Sequence, residues 1–204
     1  MATQRKKKTS AARTTGARRG KAAPDNTARN RVLLIAGVVL VAAVLGVLLW
    51  LAMRPEPGIA GVVQFPRQSR GHESNLEIAF GELPPSGGVH DPAWQNCGVY
   101  DAPLNTANAI HSMEHGAVWI TYQPDLPADQ IAAIQDAVRG QNFLVVSPYP
   151  QQRSPIVLTA WEVQLELDSV DDSRFEEFIG RYRLGPNTPE RGAACTNGIG
   201  DPIG

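Results

Sequence analysis

The chain has four histidines, and all of them fall between positions 72 and 115. Two stand four residues apart in "HSMEHG" (111–116), with Met113 and Glu114 between them; the others are His72 and His90. Imidazoles, a carboxylate and a thioether are the side chains that bind transition metals, and which of them can converge depends on the local backbone. If the segment is helical, with Asn105 as cap and Gly116 as terminator, His111 and His115 share a face one turn apart and Glu114 stands beside His111, which is zinc-like spacing. If it is extended, His111, Met113 and His115 share a face. Two imidazoles and a thioether then favour copper, particularly Cu(I). His72 and His90 could complete either set, so copper and zinc are both candidate ions. A structural network of histidines bonded to carbonyls is the non-metal alternative. A hydrolase using Glu114 or Asp91 beside a histidine is a third reading. The order is not the H-E-x-x-H of metalloproteases, and "PPSGGVH" around Ser86 is not G-x-S-x-G, so no nucleophile motif supports it.

Such residues need a scaffold and a compartment, and charge patterning gives both. Residues 1–31 carry ten Lys and Arg against Asp25 alone, whereas beyond them nine arginines face nineteen acidic residues. Between lies "VLLIAGVVLVAAVLGVLLWLAM" (32–53), without a charge. Its length as a helix, at about 1.5 Å per residue, spans roughly 33 Å, enough for a bilayer core of about 30 Å. The basic flank predicts a cytoplasmic N-terminus and an outer C-terminal part, in a single-pass protein of the cytoplasmic membrane. A cleaved signal peptide, with "GIA" at 58–60 as the cleavage region, is the competing reading. The basic tail (1–31) has no apolar period and is expected to be disordered, lying against anionic lipid rather than nucleic acid.

"RPEPGIAG" (54–61) reads as a linker, and 62–204 as an outer α+β domain. Its first part, through about 105, is rich in turn formers and is expected to be a Pro/Gly-rich loop layer pinned by side-chain contacts. Then come a strand at 117–122 and an amphipathic helix in "QPDLPADQIAAIQDAVRG". A strand at 143–149, one long strand over 155–167 and a second helix over 171–185 complete the pattern. The sheet is expected to be mainly antiparallel, with about two helices on one face. Cys97 and Cys195 are expected to form a disulfide that ties the loop layer to the tail. Trp94 and Tyr100 are candidates for a surface that meets an envelope protein. In that reading the protein is a non-enzymatic interaction module and its histidines are structural.

"LPPSGGVHDPAWQNCGVYDAP" followed by "HSMEHGAVWITYQPDL" resembles a bacterial family of single-pass membrane proteins, domain of unknown function 3105, over roughly 60–195. The pattern falls on Pro84, Pro85, Ser86, Gly87, His90, Trp94, Gly98, Tyr100, His111, Ser112, Glu114, His115 and Gly116, with His72 as the early histidine. The resemblance implies the fold and the membrane anchor and no established activity. Position 113 is commonly another aliphatic in the family, which moves weight from Met113 to the histidines and Glu114.

Overall fold

The computed structural model describes residues 26–54 and 58–203. The chain divides into two units, Met1–Glu56 and Pro57–Gly204. In the first, the apolar run forms one helix, α1 (Thr27–Ala52), long and apolar enough to cross a membrane and with none of its residues buried. The disorder expected of residues 1–31 falls outside the described residues as far as 25. Over Thr27–Arg31 it is corrected, because these residues continue α1. Once the apolar run has nucleated a helix, each further turn adds hydrogen bonds at little cost.

The second unit is an α+β domain built on a six-stranded mixed sheet. Its elements are β1 (Val63–Gln64), β2 (Gly98–Val99), α2 (Thr106–Glu114), β3 (Val118–Tyr122), α3 (Ala128–Val138), β4 (Leu144–Pro148), β5 (Ile156–Ala160), β6 (Val163–Leu167) and α4 (Arg174–Tyr182), with strand order β1-β6-β5-β3-β4-β2. Three ladders are antiparallel, and β4 pairs in parallel with both β3 and β2. The parallel pairing of β3 with β4 follows from α3, which carries the chain back to the starting end of the sheet.

Alternation along the strands makes two faces. Val118, Ile120, Leu144, Val146, Ile156, Leu158, Val163 and Leu165 point to a core closed by Ile134 and Val138 of α3 and Phe175, Phe178 and Ile179 of α4. Trp119, Val145 and Tyr149 point the other way, into a second core with Ile110 and Met113 of α2. The helices thus lie on both faces rather than one. The second face also buries polar groups that hold the loop layer: Gln164 Nε2 donates to the Pro84 carbonyl at 2.8 Å, and Tyr149 lies under Gly81, whose N–H it accepts at 3.2 Å. The expectation of one strand over 155–167 is corrected: Trp161 and Glu162 form a two-residue turn between β5 and β6. Neither is a turn former, and Glu162 takes φ +64°, so no local residue preference announced the reversal.

Candidate metal centre

The site is laid out by α2. Asn105 caps its first turn by accepting the Ala107 N–H at 2.9 Å. The helix stops at Gly116, where φ is +113°, a conformation that favours glycine, and where an added Cβ would press on Leu184, at 2.6 Å from its Cδ2 and 3.2 Å from its Cα. The carbonyls at the helix end, which have no partner within the helix, are taken by the tail: Glu114 O by the Glu190 N–H, His115 O by the Gly192 N–H and Gly116 O by the Leu184 N–H. Cys97 and Cys195 form a disulfide with Cα atoms 5.3 Å apart, tying this tail to the loop layer.

The loop layer runs along α2 and delivers the remaining groups. Asn108 Nδ2 donates to Ala93 O at 2.7 Å and Ser112 Oγ to Gln95 O at 2.7 Å, both anchoring the stretch that follows His90. His72 and His90 face each other across an isolated parallel bridge, with the Glu73 N–H on His90 O and the His90 N–H on Gly71 O. The Asp91 carboxylate accepts the N–H groups of Asn75 and Ala93 and fixes both turns.

One ligand atom from each of His72, His90, His111 and Glu114 lies within 4.8 Å of the other three. His90 Nε2 stands 3.0 Å and His72 Nε2 3.5 Å from Glu114 Oε2. Ligand atoms bound tetrahedrally to one ion at about 2.0–2.1 Å stand roughly 3.3–3.4 Å apart, so these separations are already close to those of a metal shell. His90, His111 and Glu114 are buried, while the His72 side chain is 39% exposed and forms the open side.

The hydrogen bonds fix which nitrogens face inward. A carbonyl only accepts, so a ring nitrogen bonded to one carries the proton. His90 Nδ1 donates to Gly88 O and His111 Nδ1 to Asp91 O, each at 2.8 Å. The Nε2 atoms are then left to face the cluster, that of His90 meeting Glu114 Oε2 at 3.0 Å, the arrangement of metal-binding imidazoles oriented by a second hydrogen bond. Burial, reinforced by the neighbouring His115, His90 and His72, pushes His111 down to about 4, against the upward pull of its bond to the Asp91 carbonyl. His111 is therefore neutral at ordinary pH, the form that binds metal. His90 Nε2 and Glu114 Oε2 share one hydrogen bond at 3.0 Å.

The other residues singled out in the sequence fall around this group. His115 is adjacent, its ring centroid 4.5 Å from that of His111, but its Nδ1 donates to Ala194 O and its Nε2 faces Glu190 at 3.7 Å. Met113 is fully buried and packs in the second core, because the helix turns position 113 towards the sheet. Tyr100 is 7% exposed and donates its hydroxyl to Asn96 O, so it is corrected from surface to core; Trp94 is half-buried, its ring against His111 and His115. Trp161, which belongs to no motif of the sequence, lies 5.9 Å from the His90 ring. Only the unannounced turn at 161–162 brings it there.

An α+β domain with a three-histidine, one-carboxylate cluster, in a chain bearing an apolar N-terminal helix, is the class that fold and site define. The family described as protein of unknown function (DUF3105) matches residues 72–197, and the chain belongs to it. No curated protein and no solved structure matches the chain.

Proposed function

We propose that this protein is anchored in the cytoplasmic membrane by α1 and holds a transition-metal ion outside it, for carriage, sensing or delivery. The observation that carries the reading is the convergence of His72, His90, His111 and Glu114, with the proton of two imidazoles committed to backbone carbonyls. Three nitrogens and one oxygen without sulfur suit Zn²⁺ or Cu²⁺ better than Cu(I). The basic flank before α1 supports an outer position for the domain, and the disulfide fits an oxidising compartment. Partial exposure of His72 gives an ion a way in and out. In this reading the domain meets lipid through α1, and any envelope partner meets the His72 side.

The full chain, purified untagged in uncharged detergent and analysed by metal-specific mass spectrometry, should carry one zinc or copper ion. His111→Ala should weaken binding by more than about a hundredfold, since removing a ligand exceeds the loss seen for its outer partners. Glu114→Gln, which preserves shape, should weaken it strongly without unfolding the domain. A wild-type chain that neither binds Zn²⁺ or Cu²⁺ nor shifts its melting temperature with either would end this reading.

A further inference from the structure

Beyond residue 31 the chain is acidic, and its few arginines are mostly paired. Arg139 meets Asp136, Arg153 meets Glu166, Arg174 meets Asp172, and Arg183 donates to Gln141. Arg67 and Arg70 make no ion pair or hydrogen bond with their side chains among the described residues. Both line one polar cavity of about 360 Å³ with Trp161, Glu162, Asn187 and Thr188.

The groups around this cavity are mostly donors. Asn187 and Thr188 offer an amide and a hydroxyl, and the Trp161 indole N–H has no partner among the described residues. The one carboxylate, Glu162, already accepts the Gln68 N–H through Oε1 at 2.8 Å. Glu162 is also held at φ +64° in the tight turn, by its N–H on Ser86 O and the Phe65 N–H on its carbonyl. The turn so held makes Trp161 a wall shared by the cavity and His90.

We infer that this cleft is an anion-binding site. It takes a carboxylate or phosphate group between the Arg67 and Arg70 guanidiniums, whose forked N–H groups match both oxyanions. The Trp161, Asn187 and Thr188 donors serve the remaining oxygens. Nothing in this assignment depends on an ion in the histidine cluster.

The test is calorimetric titration of the full chain in uncharged detergent micelles, stripped of metal and freed of chelator, with inorganic phosphate and with succinate at constant ionic strength. Saturable binding of either anion is expected. It should fall at least about tenfold in the Arg67→Gln/Arg70→Gln double variant and stay unchanged in Arg191→Gln, an exposed arginine outside the cleft. No saturable binding of either anion, or an equal loss in Arg191→Gln, overturns the assignment. Nanodiscs separate the source of the group. Weaker phosphate binding in phosphatidylglycerol discs than in phosphatidylcholine discs assigns the cleft to a lipid headgroup, and equal binding assigns it to a free anion.

Discussion

At the scale of single residues, the cluster ties stability to pH through His111. Its ordinary value of 6.5 falls to about 4 in the folded chain, with burial as the leading cause. Between those values the unfolded chain binds a proton that the native state refuses, so native stability must fall as pH drops through that window. Full protonation of this group in the unfolded chain alone costs on the order of 3 kcal/mol. Urea titrations of the metal-free protein across that window should show the decline, and His111→Gln should flatten it. The sequence gathered all four histidines, and the structure brings their rings together, but the pairing by helical spacing was only half informative. His111 and Glu114, three apart, share the cluster, while His115 turns to the Ala194 carbonyl. That choice depends on how α2 is rolled against the sheet and on a tail carbonyl distant in sequence, neither of which a local spacing encodes.

At the scale of elements, α2 is defined by its two ends. Asn105 and Gly116 were both readable as cap and terminator. The glycine has a second task that was not readable, since its missing side chain makes room for Leu184. Gly116→Ala should therefore cost more than the strain of its backbone, about 1–3 kcal/mol, and should loosen the tail as well. Thermal unfolding gives the first, and faster amide exchange at Glu190 and Gly192, which bond to the helix end, gives the second. The β5–β6 hairpin shows the opposite case. Its apolar residues read as one strand because Trp161 and Glu162 carry no turn signal, and the reversal is enforced from outside by Ser86 and Phe65. Helices α3 and α4, by contrast, were plain from their apolar spacing, because each needs only one face against the sheet.

At the scale of the whole domain, the loop layer lacks long strands or helices and is held by side chains, by the second face of the sheet and by the Cys97–Cys195 bond. That bond closes a loop of sequence separation 98, worth about 3–5 kcal/mol in the chain-entropy picture. The Cys97→Ser/Cys195→Ser variant should lose stability of that order in chemical denaturation, and metal affinity should fall with it because the tail steadies the end of α2. The loop layer and the disulfide could be anticipated from composition, but not the tail's hold on the helix carbonyls, which are contacts between distant segments. Those contacts also set an order of manufacture. Synthesis delivers the residues of the cluster (72–114) well before the tail at 184–195 that closes the end of their helix, with Ala194 following His115 by 79 positions. A nascent chain interrupted anywhere in between has its ligands but not the arrangement that steadies them. The geometry of the cluster is thereby completed only when the chain is nearly made, so a shortened chain ending before residue 184 should lose the fixed end of α2.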